Sequence, residues 1–293
     1  MTIKKQVMLR AGAIELSAIY GRPDTEPRAL VVALHGGSYD SRYFDLTSTS
    51  DASFVDLASA LGFGVVAIDR PGYGAAQGID SKLLSFDEQV SLIEEAISSA
   101  RQQFGSGAGV VLVGHSIGAM LSLSIAARGN TEDLLGVEAS GQGVVWQPGI
   151  RELWQSLMGA DPVINLPREP RLQIMYGPPG TYTEQAQAED AANAQPLPIA
   201  ELRDALSWHD RLREIAPSIH VPVRVTLAEF DNIWSPAPEA RATLADVLKS
   251  SVWAEVILQR FSGHSTHGHI AARAHHLEVL SFAEQCIVRA RCT

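Results

Sequence analysis

Two cysteines in 293 residues, Cys286 and Cys292, leave no material for a disulfide framework. Small secreted domains with thin cores depend on such frameworks; here both thiols lie near the C-terminus, away from any catalytic motif, and read as free thiols in a reducing compartment. Long apolar runs are missing too. None approaches the ~18 residues that would mark a membrane-spanning helix, and residues 1–10 carry charge with no apolar stretch behind them to form a leader. Basic residues are in deficit: 23 Lys and Arg against 33 Asp and Glu give a net charge of −10. With no dense Lys/Arg run to offset it, that balance argues against nucleic acid or an anionic membrane as a partner. Heptads and internal repeats are absent, which removes coiled coils and solenoids. The expectation is a soluble, cytoplasmic protein, and 46% hydrophobic residues suffice for the core of one large, decorated domain.

What the chain does have is a stretch that joins an apolar run to a helical pattern through a serine flanked by glycines, Gly114-His115-Ser116-Ile117-Gly118. Residues 109–113 are valine-rich and follow a glycine-rich segment, which predicts a buried strand. Residues 119–127 hold Ala, Leu, Met and Ile without Pro or Gly, which predicts a helix. A serine sits at the tip of a sharp strand-to-helix turn only if its neighbours two residues away on each side are small. There its hydroxyl is exposed for attack, and the Ile117 amide, at a helix N-terminus, is free to stabilise an oxyanion. The same five residues also suit an ordinary turn, so the reading depends on what else the chain supplies.

Taken in order, residues 6–9 and 14–20 alternate as two antiparallel strands. Residues 29–34 form a continuous apolar run, as expected of a strand buried on both faces of a parallel sheet. A helix is predicted over 53–61, a strand over 65–68 and a long amphipathic helix over 85–104. Beyond the serine turn come strands over 134–139, 221–228 and 254–258, with helices over 236–249 and 270–288. Strand and helix alternate, which implies an α/β fold with a doubly wound, mostly parallel sheet. The rhythm breaks over 146–216, which carries eight prolines and three of the five tryptophans. Ordinary connections in such units run about 2–6 residues, so this is an inserted unit, leaving 1–145 and 217–293 as the core.

The apolar run at 29–34 empties into His35-Gly36-Gly37-Ser38, and the strand at 65–68 into Asp69-Arg70-Pro71-Gly72-Tyr73-Gly74. Together with the glycine-flanked serine, these segments resemble the α/β-hydrolase superfamily. The resemblance implies that Gly37 supplies a second oxyanion donor beside Ile117, that His35 and Asp69 order their loops, and that residues 146–216 form a cap over the nucleophile. Its aromatic and apolar side chains, Trp146, Trp154, Met158, Tyr176, Tyr182 and Trp208, are candidates for the pocket lining, as are Ser38, Tyr39 and His115; the alternative for each is packing of cap against core.

Serine chemistry needs a base within reach and an acid that orients it, in the chain order Ser, Asp or Glu, His for this fold. Ser116, Asp231 and His264 meet that order, each just past a predicted strand. Glu138 and Glu229 are rival acids. His267 and His269 crowd the same loop as His264 and are read as the start of the last helix or the pocket rim, with His275 and His276 on that helix's surface. His264, His267 and His269 have the spacing of a metal site, yet no cysteine or His-Glu-x-x-His pattern accompanies them, so no metal is expected; nor is any other cofactor. The function implied is a serine hydrolase cleaving an ester or thioester of a small to medium apolar substrate. An acyltransferase or cyclase with the same three residues, or a ligand receptor on the same fold, are the alternatives.

Overall fold

A computed structural model describes residues 3–48 and 53–292 of the chain. Strands β1 (Ile3–Ala11) and β2 (Ile14–Arg22) form an antiparallel hairpin. The sheet's centre is β3 (Leu30–Leu34), β4 (Gly64–Ile68) and β5 (Val110–His115), in which every residue is buried. Such strands are apolar throughout because both sheet faces are covered. β6 (Leu134–Ser140) follows, and after a long insertion β9 (Val223–Phe230) and β10 (Ala254–Gly263) complete the order β1-β2-β4-β3-β5-β6-β9-β10. From β4 to β10 all neighbours are parallel. This is the expected α/β architecture.

Helices cover both faces. On one, α2 (Phe86–Phe104) packs on α3 (Ile117–Arg128); on the other, α1 (Phe54–Ala60) packs on the C-terminal α10 (Ala272–Cys292). α3 is buried on all sides over most of its length, which accounts for its lack of a polar face. α9 (Pro238–Val247) lies against β10. The insertion carries α4 (Ile150–Ser156), α5 (Arg168–Met175), α6 (Glu184–Asn193), α7 (Ile199–Leu206) and α8 (Trp208–Ile215), plus β7 (Val163–Ile164) paired with β8 (Leu197–Pro198). Among the described residues, no helix is long and apolar enough to cross a membrane.

Two expectations need correction. The last strand runs five residues past 258, to Gly263, with a register shift between Gln259 and Gly263 and Phe261 at φ 57°. His275 and His276 are not on the surface of α10; both are completely buried. They share the inward stripe with Val279, Leu280 and Ala283, where the His276 ring meets Phe54 at 5.4 Å and its Nε2 lies 2.9 Å from His267 Nδ1. Polarity misplaced them, since an imidazole is apolar on its faces and is accepted in a core when neutral.

Burial pushes His269 and His275 down to about 4, and lowers His267 and His276 as well. A base with a depressed folded pKa contributes stability that is complete above its unfolded value, near 6.5, and is lost as the pH falls toward the folded value. Urea denaturation between pH 7 and pH 5 is therefore expected to show stability falling with pH, by on the order of 1 kcal/mol per pH unit for each such imidazole below its unfolded pKa. A flat profile over that interval would contradict the neutral-core assignment.

Candidate active site

Ser116 stands between β5 and α3 at φ 53°, ψ −118°, a conformation that costs a non-glycine residue about 1–3 kcal/mol. Its surroundings impose it. The Ser116 amide donates to Ser140 O at 2.8 Å, while its carbonyl accepts from the Ala119 and Met120 amides at 2.9 and 3.1 Å. The two flanking glycines have no room for side chains. A Cβ on Gly118 would overlap the Leu34 carbonyl and sit 2.5 Å from His35 O; one on Gly114 would lie 2.5 Å from Ala119 Cα and Gly118 O. All four obstacles are backbone, which cannot swing aside.

The turn faces two loops. Ser116 Oγ lies 3.1 Å from His264 Nε2, and His264 Nδ1 lies 3.0 and 3.2 Å from the two carboxylate oxygens of Asp231. The carboxylate accepts at Nδ1–H, so Nε2 is left to accept the serine proton. Asp231 is itself oriented, accepting from the Ile233 and Trp234 amides at 2.8 and 3.0 Å. Asp231 and His264 are both buried. Buried His115 contributes from below the turn: its Nε2–H donates to the His264 carbonyl at 2.8 Å, and its ring stacks on Tyr43 at 4.5 Å.

The rival acids are engaged elsewhere. Glu229 accepts from the Phe261 amide at 2.9 Å and from Arg260 Nη1 at 3.0 Å, chiefly the former holding its carboxyl below the usual range. It thereby braces the irregular end of β10 from which His264 emerges. Glu138 lies inside the sheet, accepting from Thr226 Oγ1 at 2.7 Å, and burial pushes it up to about 8. His267 and His269 serve packing rather than the pocket rim. His269 Nε2 accepts from the Gly177 and Gly263 amides at 3.1 and 2.9 Å. Among the described residues, no group of three or more His, Cys, Asp or Glu is placed to hold a metal ion.

Beside the serine runs the loop of residues 35–38. Among the described residues, neither the Gly37 nor the Ile117 amide has a hydrogen-bond acceptor. Ser38, at φ 61°, is tied into the insertion: Arg171 of α5 donates to its Oγ at 2.5 Å and to its carbonyl at 3.3 Å, and the Gln195 amide donates to that carbonyl at 3.0 Å. The Arg171 charge is balanced by Asp190 of α6 at 2.8 Å. Asp69 orders the neighbouring turn, accepting from the Ser41 amide at 2.7 Å and from Ser17 Oγ at 2.5 Å.

A cavity opens on Ser116, Gly37 and Ile117. Of the expected lining residues, Ser38, Trp146 and Trp154 face it. Tyr39, His115, Tyr176 and Trp208 do not, nor do Met158 and Tyr182. Tyr39 lies under the Arg171 guanidinium at 4.3 Å, and Trp208 packs near Phe86 with its N–H on Gln142 Oε1 at 2.8 Å. His115 is closed off beneath the turn, and Tyr176 and Tyr182 border a separate surface groove. The remaining wall was missed from sequence: Ile233 and Trp234 beyond Asp231, Leu197, Leu202 and Ala205 near α7, and two methionines. Only the position of Ile233 and Trp234, just past Asp231, offered a signal. Among the described residues, no charged side chain lines this cavity.

Residues 31–285 match the model of the alpha/beta hydrolase family. A monoglyceride lipase homolog from Monkeypox virus is 23% identical over 228 residues, covering 70% of this chain and 72% of that protein. Among solved structures, a soluble variant of monoglyceride lipase from Saccharomyces cerevisiae, in complex with a substrate analog, superposes with a TM-score of 0.73 at 14% identity, over 98% of this chain and 96% of its own. A monoacylglycerol lipase from Paleococcus ferrophilus does so with a TM-score of 0.67 at 21% identity, over 94% and 99%.

Because Gly118 abuts backbone, Gly118→Ala is expected to cost about 3 kcal/mol or more, at or beyond the usual range for overpacking. Denaturant titration measures it; a loss below ~0.5 kcal/mol would show that the turn has slack that the geometry denies.

Proposed function

The chain belongs to the alpha/beta hydrolase family, and from that premise we propose that it is a serine hydrolase that cleaves a carboxylic ester or thioester of a small to medium apolar substrate through an acyl-enzyme. The observation that carries this reading is the continuous hydrogen-bond path from Ser116 Oγ through His264 to Asp231, ending at a cavity mouth that also presents two free amides. The relatives named as lipases favour an ester over other acyl compounds.

In this mechanism Ser116 Oγ attacks the acyl carbon while its proton passes to His264 Nε2. The carbonyl oxygen becomes an oxyanion that accepts from the Gly37 and Ile117 amides, whose alignment beforehand is what lowers the barrier. Asp231 fixes the imidazole and offsets the imidazolium charge. His264 returns the proton to the departing alcohol or thiol, and the C–O or C–S bond breaks. A water molecule, deprotonated by the same imidazole, then releases the acid and restores Ser116.

We read residues 146–216 as a cap whose tryptophans and aliphatic side chains select the substrate. An uncharged lining disfavours ionised groups there, because desolvating a charge without a partner is costly.

Ser116→Ala is expected to abolish both hydrolysis of p-nitrophenyl butyrate and labelling by a fluorophosphonate probe, with the label on the wild type mapping to the peptide that contains Ser116. Folded wild-type protein that neither turns over the ester nor takes the label would sink the hydrolase reading and favour a receptor. Asp231→Asn is expected to lower kcat by about 10⁴-fold, whereas Glu138→Gln should stay within a few fold of wild type. The reverse ranking would move the acid to β6. Mass analysis of products in the presence of alcohol acceptors separates hydrolysis from acyl transfer.

A further inference from the structure

One side chain unused in the mechanism above is a fully buried cation. Arg70, directly after β4, has no solvent exposure, and its donors are divided between two sides. Nε donates to His35 O at 2.7 Å and Nη2 to Gly36 O at 3.1 Å, while Nη1 donates to Gln89 of α2 at 2.9 Å and to Glu201 of α7 at 2.7 Å, with Nη2 also reaching the second Glu201 oxygen at 3.4 Å. The Glu201 carboxylate is equally buried. It also accepts from Gln89 Nε2 at 3.1 Å and from the Tyr73 hydroxyl, whose oxygen in turn accepts from the Ser38 amide at 3.2 Å.

The Gly36 carbonyl and the Gly37 N–H are two ends of one planar peptide group. That carbonyl receives a second donor, His35 Nδ1–H at 2.8 Å, in a tautomer set by His35 Nε2 accepting from the Arg70 amide at 3.1 Å. Two donors on the oxygen, one of them charged, fix the peptide plane. They also polarise it, so that its N–H becomes a stronger donor, by roughly 10–30% per bond. The N–H so prepared is the one without an acceptor, beside Ser116.

We propose that Arg70 is a positioning residue for the reaction at Ser116, holding and polarising the Gly36–Gly37 peptide, and that Glu201 supplies its counter-charge from the insertion, so that the oxyanion loop is aligned only when α7 is seated. This rests on the hydrolase reading. Leu202 and Ala205 of the same helix line the cavity, so substrate packs against the element that balances Arg70.

The test uses Arg70→Lys, which keeps the charge but loses the planar fork, and Glu201→Gln, which keeps the shape but loses the counter-charge. For p-nitrophenyl butyrate, Arg70→Lys is expected to lower kcat about 10- to 100-fold, less than the ~10²–10³ of deleting an oxyanion donor, with KM within about threefold. Inhibition by an aryl trifluoromethyl ketone should weaken by a factor similar to the kcat loss. That ketone forms a hemiketal oxyanion when Ser116 Oγ bonds to its carbon and the proton passes to His264. Glu201→Gln should show the same pattern at about a third of the size, roughly 3- to 30-fold, and it decides the matter if Arg70→Lys does not fold. A merely structural role would lower thermal stability while leaving kcat and ketone affinity of the folded variant within about twofold; that outcome overturns the proposal. Failure of the hydrolase reading would appear separately, as wild-type protein inert to both ester and fluorophosphonate.

Discussion

The contact on which the site depends is that of the first turn of α3 against the end of β3. Leu34 pairs with Gly114 across the parallel ladder, and Gly118 sits on the Leu34 carbonyl with no space for a methyl group. This closeness puts Ser116 beside the loop of residues 35–38, since that loop is what β3 becomes when it leaves the sheet. It also holds the serine backbone in its unfavourable conformation, because neither β5 nor α3 can retreat. His115, one residue earlier, extends the effect by anchoring the His264 carbonyl. One backbone contact thus places three loops.

Among the described residues, two complete Arg–carboxylate pairs, Arg70 with Glu201 and Arg171 with Asp190, are almost free of solvent. Buried pairs of this kind contribute little net stability, since desolvation offsets attraction, while removal of one partner is costly. Their value here is geometric. Each grips the loop of residues 35–38, and each takes its carboxylate from the insertion. The cavity beside Ser116 is lined instead by side chains such as tryptophan, leucine and methionine, so the buried charges hold the loop while the cavity wall stays apolar.

Much of this was legible in the residues. The valine runs of β3, β4 and β5 announce strands buried on both faces, and the glycine-flanked serine, the Asp231 turn and the His264 loop follow from their order past strand ends. What stayed hidden has physical causes. His275 and His276 look polar, and only their position on the inner stripe of α10 makes them core. The extension of β10 to Gly263 passes through a residue at positive φ, Phe261, which propensity does not foresee. Tyr39, Tyr176 and Trp208 have the right chemistry for a pocket but are turned away by hydrogen bonds and packing that no local pattern records. Glu201 did leave a trace: an acid on the buried stripe of α7, four residues from Ala205, with Ile199 and Leu202 nearby. Its partner Arg70 lies too far away in sequence for that trace to be read.

The insertion has a further consequence for how the molecule assembles. β6 and β9 are hydrogen-bonded neighbours, yet residues 141–222 intervene, and Asp231 and His264 both lie beyond them. The entropy of closing a loop grows only slowly with its length, about 0.6 kcal/mol per doubling, so the equilibrium cost is modest. Kinetically the interruption matters more, because long-range pairings form late and depress folding rates. Strands β3 to β6 with α2 and α3 can gather first from nearer contacts, presenting the serine turn before Asp231 and His264 have arrived. On this ordering the geometry of the Ser116 turn belongs to the early-forming half of the chain, and the hydrogen bond between Ser116 and His264 is among the last to form.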